Sequence, residues 1–249
     1  MTRTLLGITL QKYTKNEILE YVIDRAKNRR GFTHVVSLNP EIMVLAQDQS
    51  EFKACLNRAH LRLIDGVGVR IAATLMGIPA GDRLSGVDLM AEAVSQAGGL
   101  RLTVALLGGH KDLAESLANR YSQAYPEARF IGIQGIKNIK DPQKIEEIRI
   151  KTQIADLRPH LVFVSFGSPA QELWIDSHRE LFKNSVCIGV GGAFDFLGGR
   201  VPRAPGVMRS LGLEWLFRLW VQPWRWRRQL RLVRFAVIVI RQRLWNRES

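Results

Sequence analysis

Apolar residues along the chain follow two rhythms. Short aliphatic and aromatic runs, bounded by glycine, proline or asparagine, stand at 5–10, 32–38, 61–64, 102–107, 129–133, 161–165 and 186–190; such bounded runs predict strands. Between them, residues spaced three and four apart predict helices over 16–28, 41–46, 51–59, 67–76, 86–97, 112–124 and 142–157, with another after Pro169. Thr14 with Glu17 has the capping-box spacing, and Pro40 suits the first turn of the second helix.

Strands separated by helices of this length imply a mostly parallel sheet covered on both faces. The expected fold is a Rossmann-like α/β domain over residues 1–208, followed by a basic amphipathic helical tail over 209–249. No stretch approaches the ~20 apolar residues of a membrane span, and residues 1–7 lack the pattern of a secretory signal. Cys55 and Cys187 form no CxxC pair, so a reducing, cytosolic compartment is expected.

Charge changes the picture at one end. The chain carries a formal +13, and residues 209–249 hold ten arginines against Glu214 and Glu248. That imbalance asks for an acidic partner, whether nucleic acid, an anionic membrane or a phosphorylated substrate. On a helix, Arg227, Arg231, Arg234 and Arg241 share a face, with Leu232, Phe235, Ala236, Val239 and Ile240 opposite. Five of the six tryptophans lie here as well, at 215, 220, 224, 226 and 245. Arginine, tryptophan and an apolar stripe favour a helix in an anionic membrane interface. The apolar face is too wide for a helix touching phosphates in water, so no nucleic-acid partner is expected, and a basic α/β nucleic-acid-binding module is the rival reading. A partner subunit, making a homo-oligomer, is the third reading of the same helix.

Candidate chemistry gathers where strands end. Asp65 follows the 61–64 run and precedes Gly66 and Gly68, either as a site acid or as the cap of the next helix. Gly108, Gly167 and Gly191 lie in glycine turns after later strands, where nucleotides and phosphates bind. None completes GxGxxG or a P-loop, which weakens a dinucleotide-dependent oxidoreductase reading. Gln171 and Glu172, after Ser168-Pro169, are a substrate contact or the capped first turn of a helix. Asp195, between Phe194 and Phe196, is a turn former or a site acid. The histidines form no HxH or HxxxH pair and there is no DxD, so neither metal nor cofactor is expected. Phosphate charge would then be met by arginine, lysine or backbone amides.

Several pieces together resemble the WecG/TagA/CpsF glycosyltransferases of bacterial cell-surface polymer synthesis. They are Ser37-Leu38-Asn39-Pro40-Glu41, Asp65-Gly66-Val67-Gly68, Arg83-Leu84-Ser85-Gly86-Val87-Asp88 and Gly167-Ser168-Pro169-Ala170-Gln171-Glu172. Residues 189–195, Arg203-Ala204-Pro205, residues 212–219 and Pro223-Trp224-Arg225 complete the set. The resemblance implies an inverting, metal-independent transfer of an N-acetylmannosamine-type sugar from a UDP donor. The acceptor it implies is N-acetylglucosamine on a polyprenyl diphosphate, at the inner face of the cell membrane; transfer of a different UDP-hexose is the alternative. It places Asp65 as catalytic base, and it puts Ser37, Asn39, Arg83, Asp88 and Gln171 among substrate-binding positions. Arg218, Arg225 and Arg228 are the tail arginines it suggests for the diphosphate. Position 37 is usually Thr in this motif; Ser37 keeps the hydroxyl and loses the methyl.

Overall fold

β1 (Thr33–Leu38) is buried at all six positions, the condition of a strand covered on both faces. In the computed structural model, which describes residues 4–248, it belongs to one six-stranded sheet. The others are β2 (Leu61–Ile64), β3 (Thr103–Gly108), β4 (Arg129–Ile133), β5 (Leu161–Ser165) and β6 (Val186–Gly189). The order is β2-β1-β6-β5-β3-β4, and every pairing is parallel. β1 and β6, the first and last strands in sequence, are thus neighbours, and the strand next to each lies on opposite sides. That arrangement opens a crevice at the carboxyl edge of an α/β sheet.

Helices cover both faces because alternate residues of each strand point to opposite sides. Val35 joins an apolar cluster with α1 (Lys15–Lys27), α5 (Gly86–Gly99) and α6 (Leu113–Ala124). Val36 and Leu38 join the opposite one, with α2 (Pro40–Asp48), α3 (Ser50–Arg58) and α4 (Val67–Leu75). A third cluster lies under α7 (Lys144–Leu157) and α8 (Ala170–Ser177). α1 starts with the expected capping box: the Glu17 N–H donates to Thr14 Oγ1, and the Thr14 N–H to the Glu17 carboxylate at 2.7 Å.

The run at 5–10 is not a strand. Leu5 and Ile8 exchange backbone hydrogen bonds of 3.0 Å around a reversal in which Leu6 and Gly7 both have positive φ. Leu5, Ile8 and Leu10 are nevertheless buried in the α2–α4 cluster. The apolar pattern reported burial correctly and extension wrongly, because a short run carries no period that separates the two.

The last part of the chain forms α9 (Ala193–Leu197), α10 (Gly206–Ser210), α11 (Glu214–Val221), a 3-10 turn at Pro223–Arg225 and α12 (Trp226–Glu248). α12 packs along α2. Phe235 and Val239 enter the same cluster as Val36 and Leu38. Arg228 and Arg231 both reach Glu41, at 2.9 and 2.5 Å, and Arg234 grips Asp48 with two hydrogen bonds. The helical face read from sequence is therefore divided: Phe235 and Val239 face the core, while Arg231 and Arg234 serve acids of the same chain. A second apolar stripe faces outward at steps of four and three residues: Trp226, Leu230, Val233, Val237, Ile240 and Leu244. With apolar residues around most of the helix, its neighbours and not its period decide which face is buried.

Replacing Phe235 with Ala is expected to cost about 3 kcal/mol in urea unfolding, the usual loss for a buried phenylalanine. Val237→Ala, on the exposed stripe of the same helix, should stay within ~0.5 kcal/mol of the parent. Equal effects would show that α12 is not held by this face.

Candidate functional site

A cavity of about 610 Å³ lies at the carboxyl edge beside β1, β2 and β6, within the ~300–1,000 Å³ of ligand-sized clefts. Ser37 and Asn39 enter it from the end of β1, Asp65 from β2, and Gly191 from the turn after β6. Arg83, Asp88 and Gln171 line it too, and Arg218, Arg225 and Arg228 of the tail close it from above. Residues from position 37 to position 228 meet here because every strand ends on the same side of the sheet.

Asp65 is not a helix cap. The cap position of α4 is Gly66, and no side chain bonds to its first turn. The Asp65 N–H is held by the Leu38 carbonyl at 3.0 Å, which aims the side chain into the cavity. Burial pushes its carboxyl up to about 7, and the negative charges of Glu214 and Asp88 push the same way. Arg83 and a hydrogen bond from the Gly86 N–H pull it back. Gly66 and Gly68 serve packing here, not a turn: a Cβ on either would stand under 3 Å from the Pro40 ring.

Asn39 spends its Oδ1 on the N-terminus of α2, accepting from the Ile42 N–H at 3.0 Å. Asp88 accepts from Ser85 Oγ at 2.6 Å and pairs with Arg203 at 2.8 Å. Burial works against its charge, but these partners together hold its pKa below the usual carboxylate value. Gln171, almost fully buried, fastens two strand ends together. Its Oε1 accepts from the Gly167 and Gly191 N–H groups at 3.2 and 3.0 Å, while its Nε2 donates to Glu172 at 2.8 Å.

Glu172, Gly108, Gly167 and Asp195 do not line the cavity. Ser168 does, and its hydroxyl donates to Glu172 at 2.8 Å instead of capping α8. Burial raises the Glu172 pKa. Gly108 and Gly167 have positive φ at turns behind the wall. Asp195 lies 3.8 Å from His110.

The arginines form a crowded group. Arg218 lies over the Phe196 ring at 4.8 Å and against Gly192, where a Cβ would stand 2.5 Å from its Nη2. Burial lowers its pKa, with the charge of Arg228 acting the same way. Arg225 is brought down to about 10 by burial, then by the charges of Arg218 and Arg228. Arg218 and Arg225 share one neutral acceptor, Gln222 Oε1, at 3.4 Å each. Like charges held this close are relieved by an anion.

Sequence reasoning missed Glu214, Arg203 and Arg209. Arg203 joins Asp88 to Glu214, at 2.8 and 3.6 Å, and Arg83 donates to the Arg209 carbonyl at 2.5 Å. Arg203 and Glu214 stood in motifs and Arg209 did not, and spacing alone did not show that this segment returns to the cavity against Arg83, Val67 and Gly192. Away from the cavity, His34, Cys55 and Asp176 bring ligand-type atoms within 4.8 Å of one another. Burial holds His34 down at about 4 and Cys55 up at about 12, and Arg58 bonds Asp176 at 2.5 Å.

The model of the glycosyl transferase WecG/TagA/CpsF family matches residues 3–249. The chain is 30% identical over 241 residues to an N-acetylglucosaminyldiphosphoundecaprenol N-acetyl-beta-D-mannosaminyltransferase of Bacillus subtilis (strain 168), covering 97% of this chain and 92% of that one. It is 32% identical over 215 residues to a protein of the same name from Bacillus spizizenii, covering 86% and 80%. A Staphylococcus aureus protein of that name is 29% identical over 229 residues, covering 92% and 87%.

A carboxyl with a raised pKa favours its protonated form in the folded state, so its penalty appears as pH climbs from the unfolded value near 4 through 7. Asp65→Asn should therefore stabilise the protein at pH 8, by roughly 1–4 kcal/mol at ~1.4 kcal/mol per pKa unit. The gain should vanish near pH 4. A pH-independent difference in melting temperature between the two proteins would contradict this environment for Asp65.

Proposed function

The chain belongs to the WecG/TagA/CpsF family of glycosyl transferases, and on that premise we propose that it moves an N-acetylmannosamine-type sugar from a UDP donor to N-acetylglucosamine on a polyprenyl diphosphate. The relatives' names give this sugar and this acceptor. One observation carries the mechanism: a carboxyl with a pKa near 7 shares a cavity with Arg218, Arg225 and Arg228, and burial together with their mutual repulsion lowers the pKa of the first two. Asp65 takes the proton of the acceptor hydroxyl as that oxygen bonds to the sugar's anomeric carbon. The bond from that carbon to the UDP oxygen breaks on the opposite face, so configuration inverts. A base titrating near the working pH is efficient at this step.

Arg218, Arg225 and Arg228 take the charge released on the diphosphate, the task a divalent ion performs elsewhere. Ser37, Asn39, Arg83, Asp88, Gln171 and Gly191 form the remaining substrate contacts. Glu172 supports them through Gln171 and Ser168. Gly108, Gly167 and Asp195 act behind the wall, by shaping the turns that carry Gly191 and Gln171.

Residues 209–249 bring the protein to an anionic membrane where the lipid-linked acceptor resides, at the cytoplasmic face. No helix among the described residues is long and apolar enough to cross a membrane. The support for surface binding is the outward stripe of α12 with Trp220, Trp224 and Trp245, each more than two-thirds exposed, beside Arg227, Arg241 and Arg243 of the same helix. Neither nucleic acid nor a second copy of the chain is needed by this scheme.

Asp65→Asn should lower transfer by at least ~100-fold, the lower end for a general base, with UDP binding retained. In the parent, kcat/KM should rise with pH through a limb near 7 and survive EDTA. Transfer within a few fold of the parent would remove Asp65 as base, and rescue by a divalent ion after chelation would overturn the arginine account. Vesicle binding is checked separately: Val233→Glu with Val237→Glu should abolish flotation with phosphatidylglycerol vesicles while the parent floats. Flotation of both proteins alike would remove the α12 stripe as the contact.

A further inference from the structure

The cavity has two chemically different ends. Around Asp65 and the arginines it is polar, but between α4 and α12 its walls are aliphatic and aromatic. Ile71 and Leu75 form one side, Phe235, Ala236, Val239 and Ile240 the other. Phe235 and Val239 are buried at the base, whereas Ile71, Leu75 and Ile240 are each about half exposed at the rim. Ala236, also exposed, contributes only a methyl group to that wall.

We propose that this channel is a binding site for the first isoprene units of the acceptor lipid, next to its diphosphate. The proposal rests on the lipid-linked acceptor reading above, and it assigns the recognition of the lipid to named residues. Three observations point to this occupant. The channel opens off the cavity that holds Asp65, so an acceptor whose hydroxyl meets that base can lay its lipid between α4 and α12 while the donor's diphosphate holds the arginines. None of the six wall residues is charged, so a sugar or nucleotide placed there would lose its water without gaining partners. Leu232 to Ile240 spans eight residues, about 12 Å at 1.5 Å rise per residue, which is room for roughly two isoprene units at carbon–carbon bonds of ~1.5 Å.

The two helices differ in what they contribute. α4 starts directly after Asp65, so its position is fixed by the same turn that places the base. α12 is fixed by Glu41 and by its own buried face. The channel thus holds a set relation to the reacting centre, as a ruler must if the lipid is to place the acceptor sugar. A membrane surface alone would concentrate the acceptor without orienting it.

The test uses water-soluble diphosphates below their micelle concentration and without vesicles, which separates the channel from bulk lipid. Methyl, geranyl and farnesyl diphosphate are titrated by calorimetry into the full-length protein. Their N-acetylglucosamine conjugates are assayed for transfer. Geranyl over methyl should gain at least about tenfold in both affinity and kcat/KM, from burial of apolar carbon at ~25 cal/mol/Å², with little further gain for farnesyl. Ala236→Trp fills the channel from an exposed position, and Ile71→Asn with Leu75→Gln makes its rim polar. Both should bring the geranyl-to-methyl ratio towards one, with folding followed by circular dichroism. A parent ratio near one, or a ratio unchanged in folded forms of both variants, overturns the channel. Chain-length dependence in binding with no sugar transfer would leave the channel standing and remove the transferase reading instead. Transfer without chain-length dependence does the reverse.

Discussion

A helix as basic as α12 can lie against the body of the protein only where its charge is met, and two acids of α2 meet it. Glu41 receives Arg228 and Arg231, and Asp48 receives Arg234. Exposed ion pairs contribute little free energy singly; the burial of Phe235 and Val239 supplies more. The acids instead select the register, because a rotation of α12 would strand arginines against apolar neighbours. With the register set, Arg228 stands over the cavity, and the remaining outward face of the helix is left apolar. Cavity roof, channel and exposed stripe all follow from that docking.

The floor of the site follows from the sheet. Six parallel strands deliver their loops to one edge, and the crevice between β1 and β6 receives them. A carboxylate placed there loses water without gaining a full set of donors, since only the Gly86 N–H and the charge of Arg83 favour its ionised form. Asp88, in the wall of the same cavity, has Ser85 and Arg203 and behaves in the opposite way. Two acids of one cavity are thus pushed apart in acidity by their partners, the pattern expected where one must exchange a proton and the other must stay charged.

Much of this was legible in the residues. The helix starts at Thr14 and Pro40 were readable because first-turn chemistry is local, and the strands from β1 onward because each is a bounded aliphatic run. Asp65, Ser37, Asn39, Gln171, Arg218 and Arg225 stood in motifs and line the cavity, whereas Glu172, Gly167 and Asp195, also in motifs, do not. Illegible were the features set by distant contacts. The reversal at Leu6-Gly7, the use of Gly66 and Gly68 to admit Pro40, and the linkage of Asp88 to Glu214 through Arg203 all depend on segments far apart in sequence. So does the rotation of α12, whose own pattern offers two apolar faces and no means of choosing between them.

The pairing of Arg231 with Glu41 spans 190 residues. Contacts so far apart in sequence carry a loop-closure cost that must be met before they reward the chain. Until then the α2–α4 face is uncovered, presenting Val36-side apolar surface and two unmatched acids to the cell. The roof of the cavity is thus the part of the site most sensitive to how firmly α12 is docked.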